Sequence, residues 1–255
     1  MVNFDCFYNG NSFDIIKNAN IGAGPYFKKK NWVSIDFLPE FKNQNNLNVI
    51  HYDLAKNCEA LPVENMDNIY TSHTLEHFDL QICKKIVKAC FDSLNSGGIL
   101  RIVVPDADFI LNSIREERLD LFWYFQGYFK NEKKLNKEDW GFFFLKSNYL
   151  RIQRGGKENP HFDKSIYRHF NNLLESSDNV TICDWLNKLP GAQNRLGDFH
   201  LSCYTAKIMI DILNSVGFSD IYESRFMRSK SLLMQEAPLF DGTHPWMSLY
   251  VEARK

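Results

Sequence analysis

Short apolar runs that end abruptly on polar or glycine residues recur along the first part of the chain. Residues 15–21 (IIKNANI) read as a strand that stops at Gly22-Ala23-Gly24. Residues 32–35 (WVSI) form a second strand ending at Asp36, and residues 47–52 (LNVIHY) a third ending at Asp53. Residues 68–72 (NIYTS), after a turn at 64–67, form a fourth that meets His73. The period then changes. Residues 80–94 carry Ile82, Ile86, Val87, Cys90, Phe91 and Leu94 at helical spacing, and the glycine-rich 95–98 reads as the helix stop. Residues 99–104 (ILRIVV) are almost continuously apolar, as in a central parallel strand covered on both faces, and Pro105-Asp106 ends it.

Between positions 107 and 199 this alternation lapses. Helical patterns at 109–125 and 164–174 mix with aromatic clusters and a polar loop at 153–160, the pattern of an inserted helical cap. The alternation returns with a helix at 204–216, a strand at 218–224 and a last strand at 247–252, joined without a clear helix as an antiparallel edge pair. The expectation is one α/β domain over 1–255, with a core of 15–106 and 200–255 and a cap at 107–199. Too few residues separate Gly24 from the second strand for the usual crossover helix, so that helix is abbreviated or missing.

Composition narrows the field. The apolar fraction of 44% and charged fraction of 24% are ordinary for a globular protein. A formal net charge of -1 gives no broad basic field for nucleic acid. No apolar run is long enough to span a bilayer. The cysteines (Cys6, Cys58, Cys83, Cys90, Cys183 and Cys203) are scattered without a CxxC pair, and the N-terminus has no signal-like segment, so a reduced, cytoplasmic protein is expected. The aromatic surplus near Trp123 and Trp140 suits core, a lid or a homodimer interface.

The polar strand ends carry the chemistry. In an open parallel sheet, ligands sit beyond the carboxyl ends of the strands. A glycine pair lets backbone approach a ligand closely, and a carboxylate at the end of the second strand can accept hydrogen bonds from both ribose hydroxyls. Lys28, Lys29 and Lys30 read first as a solvated face. Arg151, Arg154 and Lys157 suit an anionic group or plain solvation.

The segments NIGAGP, VSID, YDLAKNCEALP, NIYTSHTLEHF and LNSGGILRIVVPDAD, in this order, resemble class I S-adenosylmethionine-dependent methyltransferases. They are most similar to the small-molecule, methyltransferase type 11-like branch with a His-x-Leu-Glu-His motif. The closing GFSDIYES and HPWMSLYVEARK resemble predicted methyltransferases of surface-polysaccharide and capsule biosynthesis. The likeness covers roughly residues 15 to 110 and 200 to 255. It implies a Rossmann-like, seven-stranded, mostly parallel sheet with an antiparallel last strand, and S-adenosylmethionine as cofactor. It places Gly22, Ala23 and Gly24 under the methionine and ribose, Asp36 and Phe37 at the ribose, Asp53 and Leu54 at the adenine, and Ser72 and His73 at the methionine end.

The acceptor is expected to be a small polar metabolite such as a sugar, a nucleotide-linked sugar or a phosphorylated precursor. A degenerate partner subunit and a protein or nucleic-acid methyltransferase are the alternatives. Because the cofactor brings its own leaving group, a base is optional; His73, His77, Asp106 and His200 are the candidates. Each has an ordinary alternative: His77 bracing a helix, Asp106 capping one, His200 fixing a loop. His73, Glu76 and His77 would share a helical face and could take a divalent metal, although a salt bridge or cap at Glu76 is the favoured reading and the metal ligands stay unknown.

Overall fold

The computed structural model describes residues 17–37, 48–118, 120–122, 135–151, 159, 162–190 and 199–255. The apolar runs form strands β1 (Asn18–Ile21), β2 (Val33–Asp36), β3 (Val49–His51), β4 (Met66–Ser72), β5 (Leu94–Pro105), β6 (Ser219–Glu223) and β7 (Ser248–Arg254). The helices are α1 (Leu80–Ser93), α2 (Ala107–Arg115), α3 (Lys137–Leu145), α4 (Lys164–Ser176), α5 (Asn179–Lys188) and α6 (Ala206–Val216). Two compact units result. The first comprises Met1–Leu75, Gln81–Val104 and Met209–Lys255, and the second Glu76–Leu80 and Pro105–Ile208.

In the first unit the seven strands lie in the order β3-β2-β1-β4-β5-β7-β6. β1 pairs in parallel with β2 and β4, β2 with β3 and β4 with β5, while β7 runs antiparallel to β6. This is the seven-stranded, mostly parallel Rossmann-like sheet with an antiparallel last strand that the sequence leads one to expect. Every residue of β1 is buried, as an inner parallel strand requires.

β1 passes to β2 through turns, with no helix between them. Aromatic side chains do the covering instead. Phe27 and Trp32 from this link join Tyr70, Val103 and Tyr250 of the sheet and Met234 and Phe240 of the β6–β7 connection in one buried cluster. The Phe240 ring lies 4.9 Å from both Trp32 and Tyr70. That connection is tied down by Arg101, fully buried on β5. Its Nε reaches Asp241 at 3.0 Å, Nη1 reaches Glu252 at 2.9 Å and Ser224 at 3.0 Å, and Nη2 reaches Asp241 at 2.5 Å and the Arg225 carbonyl at 2.9 Å. All five guanidinium N–H donors are thereby used.

Two expected boundaries move. The glycine stop at 95–98 belongs to β5 rather than to the end of α1: Leu94 pairs with Met66 and Ile99 with Asn68, so a bulge absorbs the extra residues. Gly97 has φ 79°, and its N–H donates to the Lys255 carbonyl at 2.9 Å, tying the bulge to the end of the chain. Of the helix expected over 109–125, the described residues show α2, ending at Arg115; Asp106 starts it by accepting a hydrogen bond from the Phe109 N–H at 3.1 Å, and residues 119 and 123–125 lie outside the described residues.

In the second unit, α3 and α4 meet over Phe142, Tyr167 and Phe170. A Cβ on Gly141 would come within 2.8 Å of the Phe170 ring, so glycine is what lets that ring approach. Arg151 is engaged there: its Nη2 lies 2.5 Å from the fully buried Asp139, whose Oδ1 also accepts from the Tyr167 hydroxyl at 3.1 Å. Arg154, Lys157 and Trp123 lie outside the described residues.

Candidate functional site

Strand order locates the site. Going outward from β1, the chain winds to β2 and β3 on one side and to β4 and β5 on the other, so the order reverses between β1 and β4. Loops leaving adjacent parallel strands in opposite directions open a crevice at their carboxyl ends, the usual ligand position in such sheets. Here those ends are Gly22-Ala23-Gly24 after β1 and Ser72-His73-Thr74 after β4, with Asp36 at the end of neighbouring β2.

The glycine loop is shaped for close approach. Gly22 has φ 67° and Gly24 φ 63°, left-handed backbone that favours glycine. A Cβ on Gly22 would fall 2.1 Å from Thr74 Oγ1, whereas one on Gly24 would meet nothing within 4 Å. The first glycine thus lets the β1 and β4 loops touch, and the second faces open space.

Asp36 joins this loop to β2. Its Oδ2 accepts from the Gly24 N–H at 2.9 Å and its Oδ1 from the Phe37 N–H at 2.6 Å. These two bonds hold the side chain in place at the end of β2. Phe37 keeps a 51% exposed ring, set edge-on to His51 at 5.0 Å. Lys56 Nζ lies 5.7 Å from the Phe37 ring centroid, so a nucleoside base stacking on this half-exposed ring, with its sugar hydroxyls donating to the carboxylate, would share the ring with that ammonium.

At the next strand end, Asp53 is drawn into a turn. Oδ1 accepts from the Ala55 N–H at 3.0 Å and the Lys56 N–H at 3.3 Å, and Lys56 Nζ lies 3.3 Å from Oδ2. The next residue, Leu54, is buried. Any base contact by the Asp53 carboxylate has to share it with Lys56. Lys29, from the lysine run, pairs with Glu236 and lies 5.5 Å from the Phe240 ring centroid.

His73 stands at the end of β4 in left-handed backbone with φ 47°, which is costly for a residue with a Cβ. Its N–H donates to the Val103 carbonyl at 2.9 Å, and its Nε2 lies 2.8 Å from Ser248 Oγ. Ser248 has a single proton and two carbonyl acceptors within reach, His244 at 2.9 Å and Thr243 at 3.2 Å. With that proton given to a carbonyl, His73 donates through Nε2 and keeps its lone pair on Nδ1. Ser248 and Thr74 both bear on the site; each lies in a segment that carries the sequence resemblance, but neither is among the site residues expected from the sequence.

The other three candidates for general base fall in the second unit. His77 and His200 come together, their rings 5.2 Å apart at 77°. Asp106 is the N-cap of α2 and bridges in parallel to Tyr204. His73, Glu76 and His77 do not share a helical face, because the turn of 3-10 helix spans only Leu75–His77 and His73 precedes it in left-handed backbone. Among the described residues, the metal-capable grouping is instead Glu76, His77 and His200, with one ligand atom of each within 4.8 Å of the others.

No family model and no curated protein matches the chain. Similar solved structures include a SAM-dependent methyltransferase from Archaeoglobus fulgidus, 12% identical over 94% of this chain and 86% of that one, with TM-score 0.44. One from Mesorhizobium loti is 15% identical over 94% and 91%, also with TM-score 0.44. Human N-acetylserotonin methyltransferase, solved with SAM, is 11% identical over 95% of this chain and 48% of its own length, with TM-score 0.40. The fold assignment rests on the strand order itself. No helix among the described residues is long and apolar enough to cross a membrane.

Proposed function

We propose that the chain is an S-adenosylmethionine-dependent methyltransferase acting on an oxygen or nitrogen of a small polar metabolite. The observation that carries this reading is the Asp36 carboxylate, anchored by the Gly24 and Phe37 N–H groups beside the β1–β4 crevice. The residues suit the cofactor: an open glycine cradle for its amino-acid part, a carboxylate for its ribose and the exposed Phe37 ring for its base. The sequence resemblance supports the choice of this cofactor over other nucleosides.

When bound, S-adenosylmethionine supplies a methyl group on a sulfonium, which leaves as the neutral thioether when the acceptor's lone pair attacks. The chain's part is to hold the acceptor in line with that methyl. We assign the acceptor proton to His73, which stands at the end of β4 with its Nε2 2.8 Å from Ser248 Oγ. Among acceptors, sugars, nucleotide-linked sugars and phosphorylated precursors of a surface glycan are the class we favour, on the likeness of the C-terminal segments.

Calorimetric titration tests the reading. Micromolar binding of S-adenosylmethionine by the parent, weakened at least about tenfold in Asp36→Ala, is expected; tenfold corresponds to about 1.4 kcal/mol. Failure of the parent to bind would move the chain to the class of non-catalytic partner proteins.

A further inference from the structure

Glu76, His77 and His200 lie far apart in two segments of the sequence, yet the second unit gathers them within 4.8 Å. We propose that they hold a divalent transition-metal ion through one carboxylate and two imidazoles.

Backbone hydrogen bonds bring the two segments together. The Glu76 carbonyl accepts from the Leu201 N–H at 2.6 Å and the Ser202 N–H at 3.2 Å, and Ser202 Oγ donates to the Phe78 carbonyl at 2.8 Å. His200 is fixed by its own N–H, 2.7 Å from Ser147 Oγ, while Lys146 reaches the Leu201 carbonyl. The three side chains therefore sit on a braced frame.

The imidazoles are also in the right form. His77 Nδ1 lies 3.2 Å from the Phe199 carbonyl and His200 Nδ1 2.6 Å from the Phe144 carbonyl. A carbonyl can only accept, so in each ring Nδ1 carries the proton and Nε2 the lone pair. Metal-bound histidines have this pattern, with the far nitrogen donating to a carbonyl and fixing tautomer and orientation. Glu76 is 1% exposed.

Two nitrogens and one oxygen with no thiolate suit zinc and its first-row neighbours better than calcium or magnesium, which prefer all-oxygen shells. Three protein ligands also leave a position open, as in zinc sites that do chemistry rather than structural ones.

The test needs no methyl transfer, so its failure is separable from failure of the cofactor reading. Parent protein stripped with a chelator is titrated with zinc chloride by calorimetry and with cobalt(II) by visible absorption. One equivalent with micromolar or tighter affinity is expected, weakened at least tenfold in His200→Ala and in Glu76→Gln. His169→Ala, at an exposed position of α4, should bind like the parent.

In case a variant does not fold, 15N-histidine NMR of the parent reads the site directly: one equivalent of zinc should shift the Nε2 signals of two of the seven histidines. Absent or millimolar binding by the parent, affinity unchanged in the folded variants, or no histidine shift would overturn the metal site. Glu76, His77 and His200 would then be structural residues of the second unit.

Discussion

Gly22 and Gly24 share a left-handed backbone but not an environment, and substitution separates the two effects. Either change to alanine carries the left-handed strain, about 1–2 kcal/mol for a residue with a Cβ. Only Gly22→Ala adds a collision, since its Cβ would lie 2.1 Å from Thr74 Oγ1 and force the β1 and β4 loops apart. Gly22→Ala is expected to lose S-adenosylmethionine binding by tenfold or more along with stability. Gly24→Ala should lose only the strain in stability, and its effect on binding measures how closely the ligand approaches that atom. Equal calorimetric losses in the two variants would mean that the Gly22–Thr74 contact does not set the loop. That Gly22 and Gly24 follow β1 and that Asp36 ends β2 was legible in the sequence because a turn and a strand end are local features. Their link through the Gly24 N–H was not, because it depends on how β1 and β2 align.

At the scale of elements, β5 shows what periodicity reads and what it hides. Its apolar run marks a central strand, and Arg101 within that run passes for an interruption. In the fold that arginine is the anchor of the β6–β7 connection, which covers the sheet where a crossover helix is missing. Arg101→Ala would leave Asp241 and Glu252 buried without their cation. Breaking such a pair from one side costs about 3–5 kcal/mol. Urea unfolding should show a loss of that size, and a loss below about 1 kcal/mol would mean the cluster relaxes into solvent. The helices tell a similar story. α4 was legible because only one of its faces is buried, at Tyr167, Phe170 and Leu174. α3 was not, because KEDWGFFFL is buried nearly all round and has no polar stripe to give it a period. The grouping of Glu76 with His200 was beyond sequence reasoning for another reason: the hydrogen bonds that make it join segments with no shared pattern.

Across the whole molecule, stability should carry the mark of one buried lysine. Lys146 is 1% exposed, and burial pushes its pKa down to about 8. The unfolded chain holds that proton up to the ordinary lysine value of 10.5. Below pH 8 both states are protonated, and the folded one bears the full desolvation cost. Between pH 8 and 10.5 the unfolded state binds more protons, so stability rises with pH across this window. The gain is on the order of 3 kcal/mol at most, taking about 1.4 kcal/mol per pH unit. Tyrosines oppose it at the upper end. Tyr70, raised to about 12 by burial and the nearby Asp241 carboxylate, and Tyr167, Tyr222 and Tyr250, also raised chiefly by burial, favour unfolding once free tyrosine ionises near pH 10. The informative range is therefore pH 7 to 10, and the informative quantity is a difference. Lys146→Met keeps the long side chain and removes the charge, so its unfolding midpoint, followed by tryptophan fluorescence, should lack the rise the parent shows between pH 8 and 10. Parallel curves for the two proteins would mean that Lys146 keeps its proton in the folded state throughout, its charge compensated by the Leu201 carbonyl and the neighbouring Asp79.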